Sequence, residues 1–421
     1  MPKMIDPSTL ERPIEKGDEW GAVDAFLAQL ERGMPLESLY LTAEHLALRR
    51  YDFETPAPNL PHGMIAINSA WGLLPYLGEA EPLVVFGLAQ GFAMLAMENR
   101  QFERARTVAR RPVRGLAIGD LASLVVEKVE KGDIAEADGA LSTLIERSEG
   151  DRALVARAFF TSAAQDLQNW GHKGTFASHL WQIAERDAFS ELFAVLRPGI
   201  HYFAAFGSRD EKRQIERHAA ELDPKTVQAG RRKQDDQPAV EGLANRMLSG
   251  GSTKAVVEAL QGGFAVEDVV DAAIVAACED LRNSTNIPMT IEALAYVHAT
   301  RTAVRAGGPT TLLPLFQAAA WVHECAVTRE LAPLKPAPEI DPRQAASNAL
   351  LEDFMASQGH LVKITETILA ERAEAPAWMV PHLDTAQRQA TRVAPSSRTL
   401  LDRYKDRLKI PDDLRGVKLV A

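Results

Sequence analysis

Apolar residues recur at helical spacing along nearly the whole chain, and this pattern limits the fold more than any other feature. It is clearest from Val23 to Leu30, from Ile134 to Ile145 and from Val256 to Ile274. Such spacing places the apolar side chains on one face of a helix. No segment alternates convincingly with the period of two that a half-buried strand requires. The sequence therefore predicts an all-α fold.

Three segments rich in proline or polar residues interrupt the helical pattern, at about residues 53–61, 223–238 and 332–338. Proline fixes φ and ends helices, so these segments are expected to connect helices. We expect one domain over residues 1–421, with two helical halves around a shared core. The stretch at about 223–238 is expected to be a flexible polar connector between the halves.

Charge and composition exclude several classes of protein. The chain has 421 residues and a formal net charge of −10, which argues against binding to nucleic acid or to an anionic membrane surface. The apolar run from Leu83 to Met97 is too short to span a bilayer and predicts a buried helix. Two cysteines cannot form a disulfide framework, and the N-terminus lacks the apolar core of a signal peptide. We expect a cytoplasmic protein.

The common catalytic signatures are missing from the sequence. It has no glycine-rich dinucleotide motif after a strand, no GxSxG nucleophile elbow and no HExxH helix. The pattern therefore gives no support to a serine hydrolase, a zincin protease or a kinase.

His360 and Lys363 lie three residues apart on a late amphipathic helix, so they share one helix face. A desolvated lysine loses its proton and can add carbon dioxide, which gives a carbamate that binds metal through oxygen. With the histidine, it would form half of a metal site. The alternative interpretation is a solvent-exposed lysine paired with Glu366.

Ten histidines are present, and three more of them lie in apolar segments, at His62, His201 and His298. A single buried histidine is usually a core residue with a hydrogen-bond partner. Three of them together with His360 favour a shared metal, which would satisfy all four rings. His172 is intermediate, and we expect it to contact the substrate or the metal ligands.

Four short motifs resemble, in order and spacing, those of the questin oxidase-like family. They begin at Asn59 before His62, at the Pro-Gly turn before His201, at Val297 before His298, and at His360. The resemblance spans about residues 55–375. The chain departs from the family pattern at Leu60 and Ala205, and Thr300 is displaced by one residue.

The resemblance implies an all-helical, non-haem iron oxygenase that activates O2 to oxidise or cleave an aromatic or quinone-like small molecule. It implies an Fe(II) site and leaves room for an external reductant such as NADPH. The implied metal ligands are His62, His201, His298, His360 and carboxylated Lys363. The expected contacts to substrate or to the ligands are Asn59, Trp170, His172, Tyr202 and Thr300.

Two other functions fit the same residues. One is a hydrolase or isomerase that uses a zinc-bound water on the same fold. The other is a non-catalytic helical interaction module in which the histidines are core residues. Metal content separates these alternatives, and the sequence leaves the oligomeric state and the substrate open.

Overall fold

The computed structural model describes residues 7–48, 61–78, 81–99, 112–148, 150–167, 170–205, 221–232, 236–284, 287–326, 339–392 and 399–410. Within these ranges the chain forms 22 helices and no strand, which confirms the predicted all-α fold.

The helices of the first half are α1 (Pro7–Glu15), α2 (Glu19–Glu31), α3 (Leu36–Leu48), α4 (His62–Gly72), α5 (Leu74–Leu77), α6 (Glu81–Asn99), α7 (Ile118–Glu130), α8 (Ile134–Arg147), α9 (Arg152–Ala163), α10 (His172–Arg186) and α11 (Leu192–Ala205). Those of the second half are α12 (Pro224–Gln228), α13 (Gln237–Ser249), α14 (Ser252–Gln261), α15 (Val266–Asn283), α16 (Ile287–Gly307), α17 (Leu313–Ala326), α18 (Pro342–Leu351), α19 (Phe354–Ser357), α20 (His360–Glu374), α21 (Val380–Arg392) and α22 (Thr399–Tyr404).

Aspartate side chains begin many of these helices. Asp18, for example, accepts a hydrogen bond of 2.9 Å from the backbone N–H of Gly21. Each such cap contributes about 1 kcal/mol to helix stability. Equivalent caps are formed by Asp133, Asp151, Asp223, Asp236, Asp341 and Asp353. By contrast, no side chain of the preceding residue caps α4, α10 or α20.

The two halves share one hydrophobic core, which contains buried residues from α1 through to the residues after α22. The polar stretch at 223–238 is more than a connector, because it contains α12 and the start of α13. Arg231 pairs with Phe264 in an isolated bridge. Arg232 lies 3.1 Å from Asp268 and joins the stretch to α15.

Helix α6 occupies the interior, as the apolar run from Leu83 predicts. Its window Glu81–Glu98 is long and apolar enough to cross a membrane by length and composition, but 78% of that window is buried inside the protein. The helix packs against α2 and α4.

Four helices enclose the polar part of the core. Helix α4 contacts α10 and α20, and α16 contacts the same two helices, so the four form a closed ring. The first residues of α4, α10 and α20 meet at one end. About two helical turns further along their helices, Asn68 of α4 bonds to His179 of α10. The helices therefore run in the same direction, with their N-terminal ends together.

Candidate metal centre

Three histidines meet at the N-terminal end of the helix ring, and each is the first residue of its helix. His62 begins α4, His172 begins α10 and His360 begins α20. The ring of His62 lies edge-on to both of the others, with ring centroids 5.8 Å from His172 and 5.5 Å from His360. One nitrogen from each ring lies within 4.8 Å of the others. We call these residues the histidine cluster.

Helix α4 is held in place by a carboxylate from α6. The backbone N–H of Gly63 donates a 2.8 Å hydrogen bond to Oε1 of Glu98, which replaces the missing cap of the preceding proline. A Cβ on Gly63 would lie 2.9 Å from the side chain of Leu95 and 3.1 Å from Glu98. Glycine is thus required next to His62 for α4 to approach α6 this closely.

Glycines with positive φ place the other two histidines. Gly171 precedes His172 with φ 75° and Gly359 precedes His360 with φ 68°, a conformation that glycine adopts without strain. A Cβ on Gly171 would lie 2.8 Å from the ring of Tyr296. These glycines turn the chain abruptly into α10 and α20, so that each helix begins with its histidine at the cluster.

Glu292 of α16 supplies a carboxylate to the histidine cluster. Its Oε2 lies 3.2 Å from Nε2 of His172, and its Oε1 lies 3.3 Å from Nε2 of His360. Lys363, one turn after His360, donates a hydrogen bond to Oε1 of the same carboxylate. Both Glu292 and Lys363 are buried. Lys363 is therefore buried, as expected for a desolvated amine, but it is paired with Glu292. The alternative of a solvent-exposed pair with Glu366 is wrong.

Burial lowers the pKa of two of the three imidazoles of the cluster. Burial, and then the positive charges around it, hold the pKa of His62 well below 6.5, and burial lowers the pKa of His360 to about 4. Burial acts to raise the pKa of Glu292, but the positive charges of His172 and Lys363 outweigh it and hold that pKa well below 4.5. The positive ends of the helix dipoles act in the same sense.

The cluster fits a metal ion in chemistry and nearly in geometry. Neutral imidazole and ionised carboxylate are the forms that bind metals. Nε2 of His62 is buried and has no hydrogen-bond partner among the described residues, so an ion would satisfy it. Ligand atoms about 2.1 Å from one ion lie about 3.4 Å apart at tetrahedral angles. The nitrogens lie within 4.8 Å of one another, so the rings would have to approach by up to about 1.4 Å.

Two of the expected ligands lie elsewhere. His201 of α11 faces α8, where its Nε2 lies 2.9 Å from Asp138, a carboxylate that also binds Arg197. His298 of α16 contacts Glu371 of α20 through Nδ1, at 2.7 Å. The structure therefore brings His62 and His360 together but leaves His201 and His298 outside the cluster, because each is paired with its own carboxylate.

The expected substrate contacts are mostly outside the cluster as well. Trp170 is 47% exposed, Tyr202 packs its ring against Phe176, and Thr300 donates hydrogen bonds to backbone carbonyls. Asn59 lies outside the described residues. The exception is His172, which joins the cluster as a candidate ligand rather than as a neighbour of the ligands.

A local feature of the sequence distinguishes the three histidines of the cluster from the other histidines of the chain. His62, His172 and His360 are the histidines that have glycine as an immediate chain neighbour, among the ten in the chain. Glycine permits the close approaches described above, so the pairing has a physical reason. Glu292 has no comparable signal, since it lies in an ordinary helical segment.

Comparison with protein-family models, with curated proteins and with solved structures gives no match for this chain. The function is therefore inferred from the geometry of the histidine cluster and from the sequence motifs.

Proposed function

We propose that the protein is a metal-dependent oxygenase with a mononuclear non-haem iron centre in the histidine cluster. His62, His172 and His360 would hold the ion together with the carboxylate of Glu292. The observation that carries this proposal is the convergence of three imidazoles, one buried and two half-buried, beside a buried carboxylate.

The donor set supports iron as the metal. Combinations of imidazole and carboxylate are typical of non-haem Fe(II) oxygenases. When bound, the iron would supply O2 activation, while the chain positions the substrate and limits access of water. His172 is nearly inaccessible to solvent, and His360 has a side chain that is 20% exposed. An aromatic or quinone-like substrate remains a proposal based on the sequence motifs.

A zinc-dependent hydrolase is the second candidate, because three imidazoles also form the ligand set of catalytic zinc. In that case the metal would activate a water molecule at neutral pH. Iron and zinc differ in redox activity, so metal content and oxygen uptake distinguish the two functions.

The decisive experiment is elemental analysis of the protein purified without oxygen, followed by oxygen uptake with a panel of aromatic and quinone compounds. One iron per chain and substrate-dependent uptake are expected. His323→Ala is a suitable control. His323 lies on α17 and contacts the backbone carbonyl of Leu248 on α13, and neither helix belongs to the ring around the cluster. One zinc per chain would favour the hydrolase, and a protein that binds neither metal would contradict both enzymes.

Carboxylation of Lys363 stays a prediction, although the amine is paired with Glu292 rather than unpaired. Lys363 contacts the carboxylate of Glu292, so carbon dioxide competes with an ion pair for the amine. A metal beside both groups would stabilise the carbamate by its positive charge. We expect Lys363→Ala to lose metal and activity but to keep its helix content, and added acetate to restore part of the activity.

Carbon-13 NMR after equilibration with labelled bicarbonate tests this directly. A carbamate signal is expected in the metal-loaded wild type and should disappear in Lys363→Ala. The control is Lys173→Ala, since Lys173 is also buried and lies 2.7 Å from a carboxylate, Asp166. A metal-loaded wild-type protein without the signal would contradict carboxylation.

A further inference from the structure

A second group of polar residues lies two turns below the histidine cluster, inside the same ring of helices. Asn68 and His179 follow His62 and His172 by six and seven residues. His298 and Glu366 follow Glu292 and His360 by six residues each. Each helix of the ring thus contributes one member. We call Asn68, His179, His298 and Glu366 the second polar layer.

Asn68 is held in one orientation by the groups around it. Its Oδ1 accepts a hydrogen bond of 2.7 Å from the hydroxyl of Tyr40 and another from the guanidinium of Arg186, which can only donate. Its Nδ2 therefore points the other way, where it donates to Gln182 at 2.8 Å. The same Nδ2 lies 2.6 Å from Nδ1 of His179.

This orientation determines the tautomer of His179. Because Nδ2 of Asn68 is a donor, Nδ1 of His179 must accept, and the proton of the neutral ring lies on Nε2. Burial holds the pKa of His179 well below 6.5, so the ring is neutral. His179 therefore presents an N–H donor and has no free lone pair for a metal.

His298 and Glu366 present polar atoms without partners to the same region. Nδ1 of His298 is taken by Glu371, while its Nε2 is buried and makes no hydrogen bond with the described residues. Glu366 is 7% exposed, and its Oε2 is also buried without a partner. Burial raises the pKa of Glu366, and the charge of the nearby His298 opposes that rise.

Unpaired buried polar atoms are costly, and a ligand could satisfy them. Six residues of helix span about 9 Å, roughly the length of two or three fused aromatic rings. We propose that the second polar layer binds a hydroxyl or carbonyl oxygen at the far end of a flat aromatic substrate, with Nε2–H of His179 as donor. This inference rests on the proposed function, which places the reacting end at the histidine cluster.

Calorimetric binding of naphthol, which carries a hydroxyl, and of naphthalene, which carries none, tests the proposal. We expect His179→Phe to weaken naphthol binding by about tenfold, the effect of one hydrogen bond, and to leave naphthalene binding unchanged. His179→Gln should restore naphthol binding, because its amide provides a donor close to the position of Nε2. Equal losses for both compounds, or no loss for either, would overturn the proposal.

Nitrogen-15 NMR of labelled histidine provides a second test that requires no metal. We expect the Nε2–H tautomer for His179 in the wild type. In Asn68→Asp the new carboxylate oxygen should accept from Nδ1 and shift the ring to the Nδ1–H tautomer, with weaker naphthol binding. A wild-type Nδ1–H tautomer would overturn the assignment. Both tests are done before and after metal removal, so a protein without iron would refute the proposed function and still report on this layer.

Discussion

Two buried groups of charged and polar residues lie in the same core and are built on opposite principles. In the histidine cluster, His62, His172 and His360 face one another, and one carboxylate, Glu292, contacts His172, His360 and Lys363. The other group, which we call the charge ladder, alternates in sign from the interior to the surface. It consists of His298, Glu371, Arg301, Asp271 and Arg232.

The difference shows in the charge of the imidazoles. In the charge ladder Glu371 is held ionised by Arg301, which lowers the pKa of that carboxyl to about 2 against the effect of burial. Burial opposes a charge on His298, but the hydrogen bond to Glu371 raises its pKa above 6.5. In the histidine cluster burial first, and then the nearby positive groups, lower the pKa values of His62 and His360. Burial acts on the imidazoles of both groups, so the hydrogen bond of His298 with its own carboxylate accounts for the difference.

The largest expected effect comes from breaking the charge ladder. Arg301→Met leaves Glu371 and Asp271 buried without their common partner, and should lower the free energy of unfolding by about 3–5 kcal/mol. Arg305→Met is the matched control on the same helix, because Arg305 pairs with an exposed Glu374 and should cost at most about 1 kcal/mol. Urea unfolding measures both. Similar losses for the two variants would show that the ladder is not a structural element.

The second prediction separates ligands from paired histidines. His62→Ala should weaken metal binding by at least about 100-fold, since even residues that only support ligands cost 10–100-fold. His201→Ala should keep the metal and lose stability instead, because it leaves Asp138 with one partner fewer. Metal titration and urea unfolding on both variants check this. Loss of metal in His201→Ala would return that residue to the ligand set.

The third prediction concerns the glycines that place the cluster. Gly171→Ala and Gly359→Ala force alanine into positive φ, at about 1–2 kcal/mol each, and should also displace the neighbouring histidine and weaken metal binding. Gly308→Ala is the control, since Gly308 has φ 81° but nothing within 4 Å of its Cβ position. It should show the same strain with unchanged metal affinity. If Gly308→Ala also lost metal, the loss in the other two variants would have to be attributed to general destabilisation.

The smallest expected effect is a difference in pH dependence. His298 has a raised pKa, so its contribution to stability is full below pH 6.5 and is lost as pH rises through its folded pKa. His360 has a lowered pKa, so its contribution is full above pH 6.5 and is lost as pH falls towards about 4. Unfolding of the metal-free protein between pH 4 and 9 should therefore change its alkaline limb in His298→Gln and its acid limb in His360→Gln. The same limb changing in both would contradict the comparison.

Much of the fold could be predicted from the sequence because helix signals are local. The stripe from Val23 to Leu30 lies within α2, and the segment Ile134 to Ile145 lies within α8. Aspartate caps such as Asp18 and Asp133 act on residues three positions away. The expectation of a connector at 223–238 was less complete, because α12 packs against α14 and Arg232 contacts Asp268 of α15, and these contacts join segments far apart in the chain.

The candidate site was predictable only in part. His62 was recognised from its apolar helix and His360 from its spacing to Lys363, but the apolar pattern also selected His201 and His298. What separates them is a partner far along the chain. Asp138 is 63 residues from His201, and Glu371 is 73 residues from His298.

The sequence by itself determined the helices and their apolar faces, and it identified His62 and His360 as candidate ligands. The tertiary structure decided which of the buried imidazoles meet one another and which meet a carboxylate. It also brought Glu292 to Lys363 across 71 residues and placed both beside His360. The physical reason is the sequence separation over which each interaction acts. Helix periodicity and capping act within a few residues, whereas the charges around a site depend on the packing of α4, α10, α16 and α20 against one another.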